Sequence, residues 1–214
     1  MAENKIIISI GRQFGSGGRV IGRMLAEYFN IPYYDKELIK CASEDSGIKD
    51  EFFKSADERQ SGGLLSALNL DWSLGSMFVP SGQYNLLSGE SLFKFQSETI
   101  KRVAQNSCVI VGRCANYVLR DDPALFSVFI TADIETRVKR VLNLKEYDIK
   151  GENIESLVKK ADKSRASYYN YYSNTEWGVA STYDLCINSS VCGIEKTAEI
   201  IADVIKITHF RNKA

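Results

Sequence analysis

The sequence predicts an α/β fold in three layers: a doubly wound parallel sheet of about five strands with helices on both faces. Three observations lead there. Short apolar runs rich in β-branched residues recur without polar alternation, as in strands buried on both faces. Helical patterns with one apolar stripe stand between them. The alternation of the two implies right-handed crossovers between parallel strands.

The strands are expected at Lys5–Ile10, Ser107–Val111, Leu125–Ile130 and Tyr183–Ile187, with a very short one at Pro32–Tyr34. After the first, Val20, Ile21, Met24, Leu25, Tyr28 and Phe29 read as one helical face. At the far end Ile194, Ala198, Ile201, Ile205 and Thr208 form another stripe. From Ser61 to Gly89 the chain is Gly- and Ser-rich, and Asp71 is its only charged residue. It still carries many leucines and aromatics, so it is expected to pack rather than stay disordered. A substrate cap, a dimer contact and a core extension are all open to it.

Composition narrows the function classes. The 214 residues contain 44% hydrophobic and 25% charged residues, an ordinary globular balance. The 27 basic and 27 acidic side chains cancel, which argues against a binder of long nucleic acid. The five cysteines are odd in number and lack metal-site spacing, so neither a disulfide framework nor a zinc site is expected. Cys108 and Cys186 read as buried small hydrophobes. The N-terminus is too quickly polar for a signal peptide, and no apolar run approaches a membrane span. The expectation is a cytoplasmic protein without a membrane partner. His209, the only histidine, reads as a surface residue of the last helix, so a histidine-based triad has no candidate.

The strongest motif follows the first strand: Gly11-Arg12-Gln13-Phe14-Gly15-Ser16-Gly17-Gly18-Arg19, then a helix. Glycines let successive N–H groups turn inward around an anion, and the helix N-terminus adds partial positive charge. Arg12 and Arg19 flank the concavity as formal cations. A tight turn with two surface arginines is the plain alternative. Against the usual P-loop pattern G-x-x-x-x-G-K-S/T, the first glycine falls on Arg12 and the lysine on Gly18. Arg19 follows in place of the magnesium hydroxyl, so both lysine and hydroxyl are missing.

Four further motifs follow in order: PYYDKELI, VIVGRCA, ITADIETRVKRV and DKSRASYY. With the loop IGRQFGSGGRVIG they resemble the cytidylate kinase-like family, in a branch with SRxFGSGG-type loops, over nearly the whole chain. That resemblance implies a P-loop NTPase-like fold, one kinase-like domain over 1–214, an acceptor-binding insertion near 46–95 and a helical lid over 137–168. It also implies a cytoplasmic ATP-dependent transferase, with CMP the favoured acceptor and magnesium as the companion ion. Gly15, Ser16, Gly17, Gly18 and Arg19 would hold the donor phosphates, with Arg12 beside them. Asp35 matches the acceptor-side aspartate, although Lys36 and Glu37 follow it. Arg113 would grip the acceptor phosphate, although Cys114 replaces the next aspartate of that motif. Arg137 and Arg140 match lid arginines, and Asp162 and Arg165 match the family's DxxR. No protein metal ligand is expected among these.

Each has a plain reading too. Arg137 and Arg140 suit surface pairs with Asp133 or Glu135, and Asp162 with Arg165 suits a helix salt bridge. The run Tyr168, Tyr169, Tyr171, Tyr172 with Trp177 reads as packing rather than base stacking. Two other functions remain open: a nucleotide-binding regulatory protein with little transfer activity, or a kinase of another small acceptor. A homodimer is compatible with all of them.

Overall fold

The computed structural model of the chain describes residues 5–35, 89–143 and 153–211. The expected Ser61–Gly89 segment lies outside them except for its last residue, as does most of the expected 46–95 insertion. Residues 89–95 form the first turns of a helix.

Five strands build one parallel sheet: β1 Ile7–Arg12, β2 Tyr33–Tyr34, β3 Cys108–Val111, β4 Leu125–Thr131 and β5 Leu185–Asn188. Their order is β2-β3-β1-β4-β5. The helices are α1 Gly18–Phe29, α2 Gly89–Val103, α3 Ala115–Val118, α4 Ile134–Asn143, α5 Ile154–Ser173 and α6 Ser189–Arg211, the last interrupted at Gly193. His209 lies in α6.

Alternate residues of β1 serve the two faces, as the strand period requires. Ile6, Ile8 and Ile10 join Ile21 and Leu25 of α1 and Ile201 and Ile205 of α6 in one core. Ile7 points the other way, to Ile100 and Val103 of α2, Ala115 of α3 and Leu119 just after it. Each fully buried aliphatic side chain contributes about 1.5–3 kcal/mol over leaving it in water. A third, smaller cluster joins Phe14 to Val141 of α4 and Leu157, Val158 and Ala161 of α5.

Several expectations change here. β1 runs on to Arg12, because β4 continues to Thr131 and pairs with it, Arg12 opposite Ile130. Arg12 is therefore a residue of the central strand, and its side chain is buried. Cys108 is fully buried as expected, but Cys186 is exposed, because β5 is an edge strand. The α1 stripe is Gly18, Ile21, Gly22, Leu25 and Ala26, while Val20 and Tyr28 are exposed. Thr208 lies on the solvent side of α6.

The topology also locates a binding crevice. From β1 the chain leaves toward the β2 edge, and from β3 it leaves toward β4 on the opposite side. The carboxyl ends of the neighbouring strands β1 and β3 thus flank a switch point, where ligands enter open α/β sheets. Among the described residues no helix is long and apolar enough to cross a membrane.

Candidate functional site

The loop between β1 and α1 is rooted in β4. Gln13 N–H donates to Ile130 O at 3.0 Å, and Gln13 Oε1 accepts from Ala132 N–H at 3.1 Å. Gly15 and Gly17 take φ of +76° and +84°, left-handed values that favour glycine. Gly17 caps α1, and the first intrahelical bond runs from Ile21 N–H to Gly17 O at 3.0 Å. The N–H groups of Gly18, Arg19 and Val20 therefore have no acceptor within the helix. No acidic residue stands in that first turn to compete for them. This end of α1 carries the partial positive charge of a helix N-terminus, which favours an anion.

The opposite side of the loop is held by arginines. Arg165 donates to Arg12 O at 3.2 Å, Arg137 to Phe14 O at 3.4 Å, and Arg140 to Ser16 O at 3.0 Å. Alternate carbonyls, at 12, 14 and 16, are thus drawn outward. Between them, Asp162 accepts Phe14 N–H at 2.7 Å and pairs with Arg137, which is buried. The Phe14 ring anchors the loop in the cluster between α4 and α5, with Arg165 5.4 Å over it. Arg140 also donates to Ser189 Oγ and Ser189 O, and Ser189 Oγ donates to Ser16 O at 2.6 Å. Burial draws the Arg140 pKa below the ordinary arginine value while Glu195 opposes it, and the group stays cationic.

At the end of β2, buried Asp35 stands 2.8 Å from Arg19 Nε and 3.8 Å from Arg12 Nη2. Tyr33 beside it is pushed up to about 12, by burial first and then by the Asp35 charge. At the end of β3 the backbone makes a left-handed turn over three residues, Gly112, Arg113 and Cys114, with φ of 76°, 58° and 54°. Arg113 is only 6% exposed. It lines a cleft with Arg12 and Arg165, walled by Tyr168, Tyr169, Trp177 and Tyr183. Tyr169 Oη accepts from Asn116 Nδ2 at 2.8 Å, and Trp177 meets Phe129 edge-on at 5.0 Å. Burial raises the Tyr183 phenol far above its ordinary value, so it is a neutral wall.

The expected site residues thus fall into two groups. Arg12, Arg113 and Arg165 meet in the cleft. Arg137, Arg140 and Asp162 stand behind the loop, and Asp35 ties Arg12 to Arg19. Arg137 reaches Asp162 rather than the nearer acids of its own turn, because its side chain points inward from α4. Tyr172 stacks on Phe93 at 4.0 Å, but Tyr171 is exposed, and Tyr168, Tyr169 and Trp177 wall the cleft. Sequence reasoning missed Ser189, Asn116 and Tyr183. Only Ser189 had a signal, as the hydroxyl opening a helix directly after a strand.

The residues fit a nucleoside triphosphate: helix-terminal N–H groups with no acceptor within their helix, a left-handed glycine loop and nearby cations. Among the described residues no protein ligand set for magnesium stands beside them. Arg19 occupies the hydroxyl position and turns to Asp35, and no acidic, cysteine or histidine cluster of metal-binding size stands among the described residues.

Known proteins resemble the chain in sequence and in fold. The profile of the cytidylate kinase-like family covers residues 7–191. A cytidylate kinase of Methanosarcina barkeri (strain Fusaro) is 26% identical over 194 residues, 90% of each chain. Among solved structures, an uncharacterized protein from Eubacterium ventriosum is 31% identical, with a TM-score of 0.65 over 94% of this chain and 99% of the other. Shikimate kinase from Bacteroides thetaiotaomicron shares the fold at 15% identity and a TM-score of 0.53, over 94% and 98% of the two chains.

Proposed function

The chain belongs to the cytidylate kinase-like family, a family of kinase-type phosphotransferases, and on that premise we propose that it moves the γ-phosphate of ATP to a nucleoside monophosphate, with CMP the favoured acceptor. The observation that carries this reading is the meeting of Arg12, Arg113 and Arg165 in one cleft beside the loop. Phosphoryl transfer asks little covalent chemistry of a protein. It asks that two phosphate-bearing substrates be held in line, with cations around the moving group.

The N–H groups opening α1 bind the donor phosphates. Arg113 holds the acceptor phosphate across the crevice, and Arg165 stands between the two. Arg137 and Arg140 hold the carbonyls of Phe14 and Ser16, and Asp162 holds the Phe14 amide, so the loop is fixed in shape behind the N–H groups that open α1. Magnesium, when present with ATP, neutralises phosphate charge, and the donor itself supplies most of its ligands. The aromatic walls exclude water around the acceptor and fit a flat base.

One observation favours a second reading, a nucleotide-binding protein with little transfer: neither lysine nor hydroxyl follows Gly17. The test is ADP formation from ATP and magnesium with a panel of nucleoside monophosphates. The kinase reading expects a CMP-dependent rate that falls about 100-fold in Arg113→Ala and in Arg165→Ala, with both variants folded. Nucleotide binding without a rate on any acceptor would leave the second reading.

A further inference from the structure

The missing lysine has a steric explanation. A Cβ built on Gly18 would stand 2.6 Å from Arg12 Cβ and 2.9 Å from Arg12 Cγ. The stem of Arg12 fills the volume into which any side chain at position 18 would project. Its guanidinium continues beneath the turn after β3, where a Cβ on Gly112 would overlap Nη1 and stand 2.9 Å from Cζ. Arg12 is thus threaded between two bare backbone positions, one on the loop and one on the β3 turn. It is 5% exposed and lines the same cleft as Arg113.

The two departures from the usual loop pattern, arginine for the first glycine and glycine for the lysine, are then one exchange. Only one of the two positions can carry a side chain through this volume. Here it is the end of β1 rather than the first turn of α1. We propose that Arg12 supplies the cation the lysine would have supplied to the donor's polyphosphate chain, and that Asp35 is the residue that positions it. This rests on the kinase reading above.

Charge and location agree with the role. Asp35 stands 3.8 Å from Arg12 Nη2 and 2.8 Å from Arg19 Nε, so it orients the Arg12 guanidinium while its shorter contact is to Arg19. The Arg12 side chain runs from the loop at Gly18 to the turn at Gly112 and lines the cleft with Arg113 and Arg165. A bare ammonium and a guanidinium differ in reach and geometry, so the exchange also predicts poor replacement by lysine at position 12.

The test compares R12G, G18K and the double variant R12G/G18K with the wild type. Binding of ATP and of inorganic tripolyphosphate is measured by calorimetry, and CMP-dependent ADP formation alongside. R12G is expected to weaken tripolyphosphate binding about 100-fold. G18K, which forces two side chains into one volume, is expected to melt at lower temperature. The double variant, with the exchange reversed, is expected to recover most of the lost binding. A merely structural Arg12 would not be rescued by a lysine six residues away. If R12G fails to fold, R12G/D35N removes the buried partner as well and is expected to show the same binding loss. Unchanged tripolyphosphate binding in R12G, or a double variant no better than R12G, overturns the proposal. Should the wild type phosphorylate no acceptor, the kinase reading falls while the tripolyphosphate measurements still decide the role of Arg12.

Discussion

Two turns leave the carboxyl ends of neighbouring strands, and they treat the left-handed backbone in opposite ways. The loop after β1 places glycine at both of its left-handed positions, Gly15 and Gly17. The turn after β3 has three such positions in succession, and only Gly112 is glycine; Arg113 and Cys114 take φ of 58° and 54°. A left-handed residue with a Cβ costs about 1–2 kcal/mol. The difference follows from what each turn presents. The first offers backbone N–H groups, so side chains there would only obstruct. The second carries the Arg113 side chain into the cleft, which a glycine could not do.

The sharpest way to break this contrast is Gly112→Ala. The new methyl would meet the Arg12 guanidinium and would add a third strained residue to the turn. Overpacking and strain together are expected to destabilise the protein by about 3 kcal/mol in urea titration. A loss below about 1 kcal/mol would show that Arg12 leaves the crevice easily, and the constraint joining the two turns would be weak.

Next in size is a paired comparison at the arginine itself. Arg113→Ala removes the guanidinium and keeps the strained Cβ, whereas Arg113→Gly removes both. Both are expected to lose transfer equally, yet the glycine variant should be the more stable by about 1 kcal/mol. Equal stabilities would mean that the turn stores no strain, and the contrast with the β1 loop would lose its energetic content.

How much of this was legible follows from which interactions are local. The five strands, their order along the chain and the glycine loop could be read, because apolar runs and a strand–glycine–helix sequence are local signals. Arg113 could be placed at a strand end for the same reason. The end of β1 could not, since its pairing with Ile130 depends on a strand more than a hundred residues away. Cys186 was misjudged because nothing in an apolar run marks it as an edge strand. The arginines of α4 and α5 were legible as charges but not in their partners. Arg137 meets Asp162 one helix later, and each carbonyl they hold is a backbone group with no residue-type signature. The exchange between Arg12 and Gly18 was visible only as two departures from a pattern until the Arg12 stem was seen in the space above Gly18.

The smallest expected effect concerns Cys114, whose thiol is buried and stands where the family motif has an aspartate. The turn needs this residue's backbone more than its sulfur. Ala115 N–H returns to Gly112 O at 3.0 Å and Val118 N–H to Cys114 O at 2.9 Å, so position 114 joins the turn to α3. Cys114→Ala keeps the Cβ and is expected to keep activity within a few-fold. Cys114→Gly relieves one strained position, for a gain of up to about 1 kcal/mol, but leaves Arg113 between two glycines. The guanidinium then samples more orientations, so KM for the acceptor should rise while KM for ATP stays near that of the wild type. If Cys114→Ala instead abolishes transfer, the thiol itself serves the reaction, and the β3 turn presents two side chains rather than one.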